Sequence, residues 1–318
     1  MKKKHLCLSA VLTFALTTAA AALTPSFTVE PQISVHIGHW GEHLYVNDTT
    51  VENPQKSYLN WEFHPMWMAG IHGNVSFSRF FLAAQFNAGL PVTIGYMQDS
   101  DWFDLTNVKQ SFSEGINNLQ EAWYTDALLG YEFFPAEWLS LAPIAGFSYH
   151  FVKMTSPEGA TGYTDPNPDD GIIVPYDSEG AYLATTAQID YWRETIQLHL
   201  GVQAKFFITN WFTVNTKLAV APVTNILSVD HHYNHSYGFY IDKPFGFFHA
   251  FFTEADAQFR LHEHIVLTAG VKLNMLFVIT GDTYISNKQG YLGTKQSNYH
   301  AGASETDCTI RIGLAFTF

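Results

Sequence analysis

Long stretches of this chain alternate residue by residue between an apolar face and a polar or small one. From Thr195 to Phe206, Ile196, Leu198, Leu200, Val202, Ala204 and Phe206 share one face, and Thr195, Gln197, His199, Gly201, Gln203 and Lys205 share the other. Val266 to Phe277 sets Leu267, Ala269, Val271, Leu273, Met275 and Phe277 against Thr268, Gly270, Lys272 and Asn274. The last ten residues repeat the pattern, with Ile310, Ile312, Leu314, Phe316 and Phe318 on the apolar side. A period of two is that of a β-strand. Strands of ten or more residues exceed the usual five or six of a soluble sandwich, but suit a membrane strand with lipid on one face and a lumen on the other. Composition agrees: only 14% of residues are charged while 47% are hydrophobic, against about 25% charged in an ordinary soluble domain. No internal run reaches the roughly 18 apolar residues that a spanning helix needs.

About ten such segments are expected, near 27–46, 56–74, 80–94, 120–134, 138–153, 186–207, 211–227, 246–261, 265–281 and 304–318. Short turns near Ser76–Ser78, Pro135–Glu137, Thr209–Asn210 and Glu263 alternate with long polar connections near 47–55, 95–119, 154–185, 228–245 and 282–303. The expected fold is therefore all-β: a ten-stranded antiparallel transmembrane β-barrel over residues 23–318, with short periplasmic turns and long extracellular loops. The sheet must close, because an open edge in lipid leaves backbone groups unpaired. Trp61, Trp67, Trp102, Trp123, Trp138, Trp192 and Trp211 fall at strand ends and suit interfacial girdles. Lys205, Lys217, Arg260 and Lys272, with Glu254 and Asp256, are expected to form ion pairs inside a barrel too narrow to leave a channel.

Residues 1–22 read as a signal peptide. Lys2 to Lys4 supply the positive start, Leu6 to Leu16 an apolar core, and Thr17 to Ala22 a small-residue cleavage region. Cleavage removes Cys7 and leaves Cys308 alone, so no internal disulfide can form. It also leaves 13 basic against 29 acidic residues, a net charge of −16. With no basic block, nucleic acid is not an expected partner.

Chemistry is sought in the outer connections. Met97-Gln98-Asp99-Ser100-Asp101-Trp102 and Ser228-Val229-Asp230-His231-His232-Tyr233 each place an acid two residues from a second acid or a His. In extended backbone that spacing puts both side chains on one face. Two facing pairs could hold a water, with His as general base and carboxylates tuning it. Spacing alone favours the plainer reading of ordinary polar loops. Other groupings are weaker. His231, His232 and His235 could approach a metal, but neighbours in a strand point opposite ways. His262-Glu263-His264 fits a solvated turn. Asp165, Asn167, Asp169 and Asp170 alternate as calcium ligands do, but Pro166 and Pro168 interrupt them.

The chain resembles the omptin family of outer-membrane proteases. The matching pieces are Ile33-Ser34, Glu42-His43-Leu44-Tyr45, Leu59-Asn60-Trp61-Glu62-Phe63, the D-x-D-W core from Asp99 to Trp102, Ala145-Gly146-Phe147, Asp230-His231-His232-Tyr233 and Phe316-Thr317-Phe318. The resemblance implies a base dyad of Asp230 and His232 facing Asp99 and Asp101, with a catalytic water, no metal and no covalent intermediate. It gives Glu42 the role of the acid in the pocket for a basic side chain before the cut, and His231 no role.

Two positions depart from the family. Ser228 stands where a second pocket acid belongs, so a weakened preference for basic residues is expected. Tyr149 and Phe151 stand where the family carries an acid and an Arg for lipopolysaccharide, which puts dependence on that lipid in question. The reading is a monomeric outer-membrane endopeptidase for peptide or protein substrates, embedded in outer-membrane lipids, with its site facing the cell exterior and no cofactor. The alternative is a non-catalytic barrel: an adhesin, narrow pore or structural protein.

Overall fold

The computed structural model describes residues 25–48, 50–51, 53–102, 109–157, 160–163, 182–185, 188–233 and 238–318. The segment expected as a signal peptide, His235 and the Asp165–Asp170 series lie outside the described residues. The strands are β1 (Ser26–Val46), β2 (Gln55–Phe77), β3 (Phe80–Gly89), β4 (Thr93–Asp101), β5 (Ser111–Tyr131), β6 (Phe133–Ala136), β7 (Leu139–Ser156), β8 (Ala160–Tyr163), β9 (Tyr182–Thr185), β10 (Ile189–Phe207), β11 (Phe212–His232), β12 (Phe239–Gly246), β13 (Ala250–His262), β14 (Ile265–Ser286), β15 (Thr294–Lys295) and β16 (Tyr299–Thr317). All pairings are antiparallel. The ladder runs from β1 through β2, β3 with β4, β5, β7, β10, β11, β12 with β13, β14 and β16, and β16 pairs back onto β1. The circuit is closed, as an all-β membrane chain requires.

In the lower part of the barrel the apolar face points out. Ile33, Ile71, Leu200, Val202, Val271 and Ile312 are exposed, while Gln32, Ser34, His36, Gln197, Gln203, Thr268 and Asn274 are buried. Ion pairs join part of the buried polar face. Lys217 Nζ lies 2.9 Å from Glu254, Arg311 Nη2 reaches Glu254 at 2.5 Å and Asp256 at 2.7 Å, and Lys205 pairs with Glu132. The expected interior pairs are thus present for Lys205, Lys217, Glu254 and Asp256. Arg260 is exposed instead, near the lower turn, and Arg311 takes the central position.

Above this zone the polarity of the two faces exchanges. On β2 Met68 and Met66 already face inward at the height of Ser34 and His36, and above them the inward residues are Phe63, Trp61 and Leu59, all buried, while Asn60, Glu62 and His64 look outward. The ladder is offset opposite Ile37, a β-bulge that keeps Phe63 and Met66 on the same inner face. The cause is the surroundings: hydrocarbon outside draws apolar side chains outward, and water outside drives them in. Fifteen buried residues, from Trp40 to Tyr191, form one apolar cluster inside the barrel.

Two expectations change here. Residues 95–119 and 228–245 were expected as loops, but β4, β5, β11 and β12 run through both. The alternation there has its faces reversed relative to the lipid zone, and so does not look like membrane strand. Trp61 is fully buried in the plug rather than at an interface, whereas Trp67, Trp138 and Trp211 are exposed as expected. The short turns fall where they were anticipated, and His262-Glu263-His264 is an exposed turn between β13 and β14.

A closed hydrogen-bonded cylinder resists detergent until heated. The folded chain is therefore expected to migrate differently on a gel before and after boiling, and to fractionate with outer membranes. Identical mobility with and without heating would contradict the closed ladder.

Candidate functional site

The rim above the apolar plug is built from the upper ends of β1, β2 and β4 on one side and β10, β11 and β12 on the other. Strand register fixes who faces whom. Glu42 is opposite Leu59, Leu59 is opposite Asp99, and Ser57 is opposite Asp101, so Glu42 and the two aspartates rise on adjoining staves. Across the mouth, Tyr191, Asp230 and Tyr240 form one row, with Arg193, Ser228 and Asp242 in the row below. Trp61 and Tyr191 join the two sides as the floor, their rings stacked with centroids 4.8 Å apart.

Outward residues at this height are polar, including His43, Asn60, Gln98 and Glu114, which places the rim beyond the lipid-facing band. Asp230 Oδ2 lies 2.7 Å from His232 Nε2, and the two side chains are only 9% and 15% exposed. His231 points the other way, stacked on Phe239 at 4.0 Å. The two histidines therefore cannot reach into the same space. Ser57 Oγ donates to Asp99 Oδ1 at 3.2 Å, which orients that carboxyl.

The charges act on one another. Burial alone would lower the His232 pKa, but the charge and hydrogen bond of Asp230, then the charges of Asp99 and Asp101, outweigh it and raise the imidazole to about 9. Burial and the charge of Asp101 lift Asp99 well above the ordinary carboxylate range, with the His232 cation pulling the other way. Asp101 is raised too, chiefly by burial. These opposing groups feel each other's charge, so their protons are shared by the set.

The second part of the site is a buried acidic recess one row lower. Glu42 is pushed up to about 8 by burial and then by the charges of Asp242 and Asp230. Asp242 is raised to about 7, again by burial first. Ser228 and Tyr191, both almost wholly buried, face Glu42 without closing a hydrogen bond of ordinary geometry.

All six residues singled out in the sequence, Glu42, Asp99, Asp101, Ser228, Asp230 and His232, thus converge on this rim. Sequence reading missed Asp242, Tyr191 and Arg193, and placed Trp61 in an interfacial girdle. The only signal for Asp242 was the short alternation Phe239-Tyr240-Ile241-Asp242, whose position beside Ser228 depends on hairpin register. At the positions of the expected lipopolysaccharide contacts, Tyr149 and Phe151 pack on Trp123 at centroid distances of 4.8 and 5.4 Å.

Deeper in the lumen, Ser34, His36 and Asp307 are hydrogen bonded in sequence, at 3.2 and 2.9 Å. All three are buried in the lower polar zone, and Asp307 Oδ1 has no hydrogen-bond partner there.

Comparison with known proteins gives a family match over nearly the whole chain. The family model described as the Omptin family matches residues 24–318. No curated protein matches significantly. Among solved structures, the translocator domain of autotransporter NalP from Neisseria meningitidis is 10% identical, covering 99% of this chain and 96% of that one, with a TM-score of 0.34. The outer membrane protein OprG from Pseudomonas aeruginosa is 9% identical, with coverage of 93% and 96% and a TM-score of 0.34. The transport unit of the autotransporter AIDA-I from Escherichia coli is 9% identical, with coverage of 92% and 90% and a TM-score of 0.36.

Proposed function

The chain belongs to the omptin family of outer-membrane proteases, and we propose that it is an endopeptidase whose water is activated by Asp230 and His232 opposite Asp99 and Asp101. The observation that carries this reading is the 2.7 Å contact between His232 and Asp230, with both aspartates of the other pair close enough for their charges to act on the same imidazole. A binding surface would gain nothing from four buried or half-buried ionisable groups that perturb one another, whereas a proton-transfer site needs them.

In the proposed reaction a water sits between the two pairs. Its oxygen attacks the scissile carbonyl carbon while His232 takes one of its protons. Asp230 holds the imidazole in position and stabilises the imidazolium. The proton shared by Asp99 and Asp101 supplies a donor toward the carbonyl oxygen as that oxygen gains charge. Collapse of the tetrahedral intermediate breaks the C–N bond, and the imidazolium returns its proton to the departing amine. Glu42 and Ser228 line the recess below, placed to receive the side chain before the cut. The site faces the cell exterior, because the short turns lie at the opposite end of the barrel. Residues 1–22 are the export signal, the mature chain acts as a monomer, and no metal takes part. Neutral aromatic residues at 149 and 151 remove the expected charged contacts to lipopolysaccharide, so activity without that lipid is expected.

The test is to refold the barrel, incubate it with a diverse peptide library and read cleavage by mass spectrometry. Internal cleavage products that vanish in the His232→Ala variant are expected. A library left intact by a barrel with the heat-modifiable mobility of the folded state would overturn the reading in favour of a non-catalytic barrel.

A further inference from the structure

Attack on a peptide bond turns the scissile carbonyl oxygen into an oxyanion, and fixed hydrogen-bond donors aimed at that oxygen lower the barrier. Backbone amides are a common source of such donors, but around the two pairs they are committed to the sheet. Asp99 and Asp101 on β4 are laddered to both β2 and β5, Asp230 on β11 to both β10 and β12, and the His232 amide bonds Gly238 O. A donor at this height has to come from a side chain. Ser57 Oγ is given to Asp99, and Lys56, next to Ser57 on β2, takes the opposite face by alternation.

Tyr240 meets the requirement. It is the direct cross-strand partner of Asp230 on β12, and directly opposed residues project from one face with Cβ atoms about 4.5–5.5 Å apart. Its ring stands edge-on to the His232 imidazole, with centroids 5.3 Å apart and planes at 76°. The charges of Asp230 beside it and of Asp101 and Asp99 across the mouth all act on its phenol, so the hydroxyl lies between the two pairs. Tyr191, in the same row, is sealed beneath the rim, whereas Tyr240 is only half-buried and can meet a bound chain. Burial first, and then those three negative charges, raise the phenol above its ordinary value of about 10. It therefore keeps its proton near pH 9, where His232 gives up its own.

We propose that Tyr240 is a further catalytic residue, whose phenol O–H donates a hydrogen bond to the scissile carbonyl oxygen and stabilises the oxyanion of the tetrahedral intermediate. The inference rests on the peptidase reading. As the water oxygen adds to the carbonyl carbon, the C=O π pair moves onto oxygen, and the phenol and the proton shared by Asp99 and Asp101 are its two donors. The phenol keeps its proton throughout; on collapse the pair returns to form C=O as the C–N bond breaks.

The test measures kcat and KM separately for wild type and Tyr240→Phe, on a peptide that wild type cuts. Phenylalanine keeps the edge-on ring against His232 and removes only the hydroxyl, so a packing role predicts a wild-type rate. Loss of one oxyanion donor instead predicts a fall in kcat of about 10²-fold, with KM within about twofold and the rising limb of the pH profile unmoved. In parallel, a peptide aldehyde ending at the residue before the cut, whose hydrate resembles the tetrahedral intermediate, should bind Tyr240→Phe at least tenfold more weakly than wild type, while the matching peptide amide binds both equally. An unchanged kcat, a loss confined to KM, or a limb moved by Tyr240→Phe overturns the proposal and leaves the peptidase reading standing, because the phenol then acts on nothing, on the bound chain or on His232. Failure of folded wild type to cut any peptide overturns both.

Discussion

Replacing His232 with alanine is expected to lower kcat/KM by roughly 10³-fold or more while the barrel stays folded, since a positioned general base contributes about 10²–10⁴-fold and also holds the water. His232 is the last residue of β11; its side chain leaves the ladder toward the mouth, and its backbone amide bond to Gly238 O does not depend on the ring. Asp230→Ala should cost nearly as much, and the double variant little more than either single one, because the pair acts as a unit.

The pH profile gives a second handle on the same residue. His232 must be neutral to accept a proton, and its carboxylate neighbours raise its pKa to about 9. Activity should therefore climb with pH from neutrality toward about 9, rather than levelling near the ordinary histidine value of about 6.5. Asp230→Asn removes the charge that contributes most to holding the proton on, so the rising limb should move to lower pH even as the maximum rate falls. A folded His232→Ala barrel that cuts at the wild-type rate, or a limb unmoved by Asp230→Asn, would count against His232 as the base.

Arg311→Ala should produce the largest loss of stability. Its guanidinium serves Glu254 and Asp256, whose side chains are only 6% and 2% exposed; after the change Lys217 and Lys272 remain beside Glu254, while Asp256 loses its ion pair. Leaving a buried charge without its partner typically costs about 3–5 kcal/mol. Urea titration of the barrel in lipid vesicles, followed by tryptophan fluorescence, should show a loss of that size. Arg311→Met combined with Asp256→Asn should recover a good part, because the second change removes the stranded charge. A single-variant loss below about 1 kcal/mol would mean that water, not Arg311, satisfies these carboxylates.

The lipid-facing half of the molecule was legible in the amino-acid order. Ile196 to Phe206, Leu267 to Phe277 and Ile310 to Phe318 alternate because each strand has one face in hydrocarbon and one in a polar lumen, and that contrast is written residue by residue. The resemblance carried by Asp99-Ser100-Asp101-Trp102 and Asp230-His231-His232-Tyr233 identified the residues that meet at the rim, and period two explains why His231 turns away from His232.

What tertiary structure decided begins where lipid ends. Leu59, Trp61 and Phe63 face inward there, while Asn60 and Glu62 face water, so the same alternation reads with opposite sign and strands resemble loops. Register was equally hidden. Nothing in the order of residues says that Asp242 stands opposite Ser228, that Tyr191 stacks on Trp61, or that Glu42 and Asp230 meet across the mouth, because each pairing is between strands. Local sequence fixes which face a side chain takes, since that depends on one strand and its solvent; which side chains share a site depends on how the strands are paired and closed.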